Sequence, residues 1–152
     1  MLLSRCIKPL RPLVIIALRF YWWVFRPKTR GAKALLEYNE QFLLVKPMFG
    51  YKYTLPGGGV KRNESPEDGM RREIYEELGI GLAEAEFLGS FISTVEYKQD
   101  EVFAFYAKLN SDVLNTCNIE IESVKWLPLD QIKSLGPVSA KIIDLFKLRK
   151  NY

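Results

Sequence analysis

Two periodicities divide the chain. Residues 32–38 (AKALLEY) and 41–46 (QFLLVK) are short apolar runs separated by Asn39 and Glu40, which predicts a β-hairpin. A short extended piece over 51–55 then leads into Pro56 and the triplet Gly57-Gly58-Gly59. The strongest helix signal follows. Ser65 suits the cap and Pro66 the first helical position, Glu67 and Asp68 suit the positive end of the helix dipole, and Gly79 suits the position just past the end. Residues 87–95 and 102–109 (VFAFYAKL) predict strands split by a polar loop over 96–100, and residues 119–127 (IEIESVKWL) alternate as a half-buried strand does. A short helix over 130–134 and an amphipathic one over 137–149 complete the pattern. Strands and two main helices interleave, so the class is α/β or α+β with a mixed sheet.

The N-terminal segment follows neither pattern. Its apolar run over 13–25 is interrupted by Arg19, and a membrane span needs about 20 apolar residues. It begins like a signal peptide but continues into Phe20, Tyr21, Trp22 and Trp23 without a small-residue cleavage site. Pro9 and Pro12 favour a helix start, and Arg19 and Arg26 then lie seven apart, on nearly one face. Aromatic rings beside basic side chains suit a membrane–water interface. Three readings stand: a peripheral anchor on an anionic inner leaflet, a helix packed on the domain or on a second subunit, and a transmembrane anchor or uncleaved signal. Residues 26–31 (RPKTRG) read as a basic linker, dividing a segment 1–30 from a domain 31–152.

Charge sharpens that division. Residues 1–30 hold seven Lys and Arg and no Asp or Glu, which leaves 15 basic against 18 acidic groups in 31–152. The pI of about 9.0 therefore comes from the N-terminal segment and does not argue for a nucleic-acid partner. The chain has no histidine, which excludes imidazole-based zinc sites, Ser-His-Asp and Cys-His nucleophiles, and His acid–base chemistry. Its two cysteines, Cys6 and Cys117, suggest neither a disulfide framework nor a metal site. Any chemistry rests on carboxylates, Lys, Arg, Tyr or a bound metal.

Six acidic residues fall within the 24 positions from Gly57 to Ile80. On a helix, Glu73, Glu76 and Glu77 stand at i, i+3 and i+4, on one face, where like charges repel by roughly 0.2–0.5 kcal/mol per pair. A hard divalent cation such as Mg²⁺ would reverse the sign of that interaction. The glycines let backbone approach a ligand closely, and Lys61, Arg62 and Arg71 are near enough in sequence to help neutralise phosphate. An exposed acidic helix and a cation site are both compatible with the charges alone. The spacing adds more: Gly58, Glu64, Arg72-Glu73, Ile74, Glu76-Glu77, Gly79 and Ile80 match G-x5-E-x7-R-E-U-x-E-E-x-G-U, with U aliphatic, at every required position. The stretch resembles a complete Nudix box, and with LPGGG before it the likeness to Nudix hydrolases covers about residues 31–150.

That resemblance implies an α/β/α sandwich with a mixed sheet, here carrying an extra N-terminal basic-aromatic helix. It implies hydrolysis of a nucleoside diphosphate linked to another moiety X. Glu73, Glu76 and Glu77 would be ligands of Mg²⁺ or Mn²⁺, with the Gly58 carbonyl as a further donor, and Glu76 and Glu77 would carry the chemistry. Glu64 and Arg72 would brace the loop and helix through a salt bridge. Family members often add a glutamate from outside the box. Glu120 is the first choice, Glu122 the second, and Glu96, Asp100 and Glu101 are further candidates, against the plainer reading of Glu120 as an outward strand carboxylate. Gly57, Gly59, Lys61 and Arg62 are the candidate substrate contacts. Tyr97 joins them, seventeen residues after Ile80, where dinucleoside polyphosphate hydrolases often have a tyrosine. Phe49, Tyr51 and Tyr53 could stack on a base or be ordinary strand residues. The proline of many ADP-ribose hydrolases is missing near 94–96, as is the marker of NADH hydrolases. The competing functions are a non-catalytic nucleotide-binding module and a membrane-associated hydrolase of lipid-linked or envelope-precursor diphosphates. A cytoplasmic chain is expected, with the inner face of a membrane as the alternative. A homodimer and peripheral membrane contact through residues 1–30 are the open partner readings, and no sequence-specific nucleic acid is expected.

Overall fold

Alternation along the central strands decides the architecture. In the computed structural model, which describes residues 11–25, 27–48, 50, 52–95, 99–114 and 120–151, helix α1 (Arg11–Phe25) precedes strands β1 (Lys28–Tyr38) and β2 (Gln41–Pro47). Helix α2 (Pro66–Leu78), strands β3 (Glu86–Ser93), β4 (Gln99–Lys108) and β5 (Ile121–Pro128), and helix α3 (Pro137–Lys150) follow. The sheet order is β3-β4-β1-β2-β5, with β1 and β4 parallel and the other neighbours antiparallel. Ala32, Ala34, Leu36, Leu43, Val45, Phe105 and Ala107 face α2 and pack on its Met70, Ile74 and Leu78. The intervening residues Leu35, Phe42, Leu44, Val102 and Ala104 face α3 and pack on Ile142, Ile143 and Phe146. A sheet covered on both faces is the expected α/β/α sandwich.

The hairpin forms as expected, with Asn39 and Glu40 both at positive φ (48° and 62°), as a two-residue turn between twisted strands demands. Strands β1 and β2 then splay, pairing only at Glu37–Phe42 and Tyr38–Gln41. The chain from Thr54 to Val60 fills the wedge. Thr54 pairs with Val45 of β2 and Gly59 with Gly31 of β1. This inserted segment carries the glycine triplet into the sheet.

Three boundaries lie further from expectation than the rest. Strand β1 starts at Lys28, so Lys28, Thr29 and Arg30, read from sequence as linker, are strand residues. Strand β4 starts at Gln99, inside the expected polar loop. One cause accounts for both: polar cross-strand pairs carry the parallel ladder past the apolar run. Thr29 Oγ1 donates to Asp100 Oδ1 at 2.6 Å, and Arg30 lies 3.9 Å from Glu101. The helix expected over 130–134 is one 3-10 turn, Leu129–Gln131, ended by extended backbone at Ile132. Cys6, Arg26, Phe49, Tyr51, Glu96, Tyr97, Cys117 and Ile119, named from the sequence, lie outside the described residues.

Candidate active site

Helix α2 begins and ends as its sequence dictates. Ser65 Oγ accepts from the Asp68 N–H at 3.1 Å, Pro66 opens the first turn, and Gly79 closes the helix at φ 68°. With Met70, Ile74 and Leu78 fixed in the core, Glu73, Glu76 and Glu77 stand in the second half of the helix, Glu73 against Gly58 and Glu77 against Gly57.

The glycines are held by β1. Ala32 N–H donates to Gly58 O at 2.9 Å, Ala34 N–H to Pro56 O at 3.1 Å, and Val60 N–H to Arg30 O at 2.9 Å. Gly57 N–H in turn donates to Glu77 Oε2 at 3.0 Å. Glu73 lies against the Cα of Gly58, where a Cβ would fall 2.3 Å from its Oε2. Burial pushes the Glu77 carboxyl up; the Gly57 N–H and the Lys33 charge oppose that shift, and the charges of Glu73 and Glu120 reinforce it. Glu120 sits in an exposed turn before β5, close enough for its charge to act on Glu77. Of the other candidate acids, Glu122 pairs with Lys46 at 3.3 Å, Glu101 with Arg30, and Asp100 lies on β4.

Arg72 ties the loop to the helix. Its Nε and Nη2 donate to the two Glu64 oxygens at 2.8 and 3.0 Å, a bidentate pair, and Nη2 also reaches Gly59 O at 2.9 Å. Nη1 bonds Glu73 Oε1 at 2.7 Å and Glu76 Oε2 at 3.1 Å. The Arg72 guanidinium, helped by the Lys61 N–H, lowers the Glu64 carboxyl to about 2. A carboxyl depressed below its unfolded value stabilises the fold above that value and ceases to do so as pH falls through the folded one. Urea midpoints should therefore fall between about pH 4.5 and pH 2 more steeply for the parent than for Glu64→Gln. Parallel curves for the two proteins would remove Glu64 from the acid transition.

Sequence reasoning missed Lys33. Its Nζ donates to Leu55 O at 2.8 Å and Gly57 O at 3.2 Å, pinning both ends of the bend that precedes the box. A lysine inside an apolar strand run was the available signal, since its alternation places it on the inward α3 face. Hydrogen bonds from a charged donor contribute roughly 1.5–3 kcal/mol, so Lys33→Met should destabilise by about 2 kcal/mol in urea titration. An unchanged midpoint would mean that other groups hold the bend.

Gly57, Gly58 and Gly59 line a cleft of about 460 Å³ on the α3 side of the sheet, with Arg30 and Lys33 as its basic residues. Lys61 and Arg62 are exposed on the turn before α2 and are not among its lining residues. Arg71 is engaged by Glu67 at 2.7 Å and by the Leu82 carbonyl. Tyr53 bonds Ser123 at 3.0 Å and is not among the cleft's lining residues.

Whether a divalent cation fits can be judged from the donors. The acceptors around Gly57 and Gly58 are oxygens, with the charges of Glu73 and Glu120 acting on Glu77, the donor type a hard cation requires. Among the described residues, no three acids converge closely enough to enclose an ion in this conformation. Arg72 Nη1 holds Glu73 and Glu76. Both are side-chain contacts that rotation can release, while Glu64 keeps its own two bonds to Arg72. The residue set fits.

A family model, the NUDIX domain, matches residues 27–146. The NAD-capped RNA hydrolase NudC of Pseudomonas aeruginosa is 28% identical over 126 residues, covering 81% of this chain and 42% of NudC. The chain thus spans less than half the length of that relative. A MutT-like protein of Streptomyces ambofaciens is 30% identical over 118 residues, 78% of this chain and 71% of its own. The crystal structure of the MutT protein from Methanosarcina mazei superposes with a TM-score of 0.74 at 22% identity, covering 84% of this chain and 99% of that one. At that identity the structural likeness speaks for the fold.

Proposed function

The chain belongs to the Nudix family, and from that premise we propose that it hydrolyses the diphosphate linkage of a nucleoside diphosphate joined to another group, with Mg²⁺ or Mn²⁺. One observation carries the reading. The Glu77 carboxylate is partly withdrawn from water beneath the Gly57 N–H, with the charges of Glu73 and Glu120 acting on it, where the glycine loop borders the cleft. Such an arrangement costs folding energy and repays it only if a cation and a polyphosphate occupy the site.

In this reading Glu73, Glu76 and Glu77 hold the metal with the Gly58 carbonyl, whose second lone pair remains after Ala32 N–H has taken one. When bound, the ion offsets charge on the diphosphate oxygens and lowers the pKa of the attacking water. Glu120, exposed at the site's edge, would act as the base that takes up that water's proton. Glu64 and Arg72 keep α2 and the loop in register. Gly57 and Gly59 present backbone to the phosphates, Lys61 and Arg62 remain proposed substrate contacts from the turn before α2, and Lys33 and Arg30, which line the cleft, add positive charge. Tyr97 keeps its place as a substrate contact in this reading. The division at residue 30 belongs to it too, with β1 reaching back to Lys28.

The test is a Mg²⁺ activity screen over dinucleoside polyphosphates, nucleotide sugars, nucleoside triphosphates, and 5′-triphosphate and NAD-capped RNA. Turnover of a diphosphate that stops with chelator is the expected result. Nucleotide binding without any turnover would instead identify a recognition module.

A second reading concerns α1. Its Ile16, Phe20, Tyr21, Trp23, Val24 and Phe25 are exposed, in a segment with no acidic residue. Among the described residues no helix is long and apolar enough to cross a membrane. An anionic lipid surface would take both the rings and the charges, and so bring the cleft near lipid-linked diphosphates. The full chain should then sediment with phosphatidylserine vesicles and not with phosphatidylcholine ones. A chain that stays in the supernatant and elutes as a dimer would assign the same face to a second copy.

A further inference from the structure

One side of the cleft is built by a residue outside the family match, which begins at residue 27. Trp22 of α1 lines the cleft together with Asp100, Thr29, Ser93, Val102 and Val138. It is half-buried, whereas the other described side chains of α1 are exposed. Among the described side chains of α1, Trp22 alone is withdrawn from solvent, and it lines the cleft.

The opposite features of this wall are polar and fixed. Thr29 Oγ1 occupies Asp100 Oδ1 at 2.6 Å and so sets the carboxylate's orientation. Asp100 Oδ2 lies over the Cα of Gly31, where a Cβ would approach it to 3.3 Å. Glycine at 31 therefore leaves that oxygen open toward the cleft. The wall as a whole combines an indole, valine side chains and one oriented acceptor. A phosphate gains nothing from such a set, because the carboxylate repels it. A flat ring bearing N–H donors gains from every part of it.

The wall also adjoins the glycine loop. β4, β1 and the loop are successive neighbours, through the Gly31–Val102 register and the Gly31–Gly59 bridge. The Gly58 carbonyl oxygen falls 3.6 Å from the same point over Gly31 that Asp100 Oδ2 approaches to 3.3 Å. A ring seated on this wall therefore directly adjoins phosphates held at the loop.

We propose that Trp22 and Asp100 form the seat of the substrate's nucleobase, the indole stacking on the ring and Asp100 Oδ2 accepting from its N–H groups. This rests on the hydrolase reading for the direction in which substrate lies, and it makes α1 a part of the binding site. Trp22 positions substrate and takes no part in bond cleavage.

Calorimetry on the full chain with AMP, GMP, CMP and UMP, and with ribose 5-phosphate as the baseless control, tests it. Base stacking predicts that Trp22→Ala weakens the best nucleotide about tenfold and Trp22→Phe less than about threefold. Ribose 5-phosphate should be indifferent to both. Equal nucleotide affinity in parent and Trp22→Ala, or an equal loss for ribose 5-phosphate, would overturn the proposal. In turnover, Trp22→Ala should raise KM about tenfold and change kcat by less than about threefold. Trp22-dependent nucleotide binding in a chain that hydrolyses nothing supports the seat and sinks the catalytic reading. Turnover with a KM indifferent to Trp22 does the reverse.

Discussion

Glu77→Gln should lower metal-dependent turnover by about 10²- to 10³-fold while the protein stays folded. The size of the loss follows from removing one charge from the set proposed to hold a divalent ion against a charged diphosphate. The stability change runs the other way. Burial raises the Glu77 carboxyl, so the folded state binds that proton more tightly than the unfolded chain, and stability is lost as pH rises from the ordinary carboxylate range through the folded value. Glutamine keeps an oxygen for the Gly57 N–H and discards the charge. Without metal at neutral pH, the variant should therefore melt no lower than the parent, and higher if nothing else changes. Added Mg²⁺ should raise the parent's melting temperature more than the variant's. Parent-like turnover in Glu77→Gln would remove the metal assignment. Inactivity with a collapsed melting temperature would point to a structural role.

Adjacent glycines should respond differently to the same methyl group. At Gly57, φ is 114° and a Cβ would lie 2.3 Å from Ala32 O and 2.9 Å from Lys33 Cα. Both obstacles are backbone of β1, the central strand, so Gly57→Ala must push the loop out of the wedge. Conformational strain and overpacking together suggest a loss of about 2–5 kcal/mol, with activity falling alongside. At Gly58 the obstacle is the end of the Glu73 side chain, which can rotate. Gly58→Ala should therefore unfold within about 1 kcal/mol of the parent and still lose about 10- to 100-fold in turnover, because Glu73 is displaced. Chemical denaturation and kinetics on the two variants separate these effects. Parent-like activity in Gly58→Ala would mean that the contact between Glu73 and the loop is incidental.

The two helices flanking the sheet were legible because their signals are local. Ser65, Pro66 and Gly79 act within a turn of their own backbone, and the hairpin needs only Asn39 and Glu40 between two apolar runs. Strand ends were less legible. Lys28–Arg30 and Gln99–Glu101 extend β1 and β4 only because each supplies the other's polar partner, some 70 residues away in sequence. A reading that follows apolar runs stops where those pairs begin.

The site divides in the same way. The number and spacing of the acids, and the pairing of Glu64 with Arg72 eight residues on, are properties of one loop and helix, and the chain order alone determined them. Lys33, Asp100 and Trp22 come from three other elements. What places them beside the glycines is the splaying of β1 from β2, the parallel register of β1 with β4, and the docking of α1. Those are long-range contacts whose closure entropy is met only when the whole sheet forms. The amino-acid order thus determined which carboxylates gather on one helix, and the tertiary structure decided what lines the cleft beside the glycines.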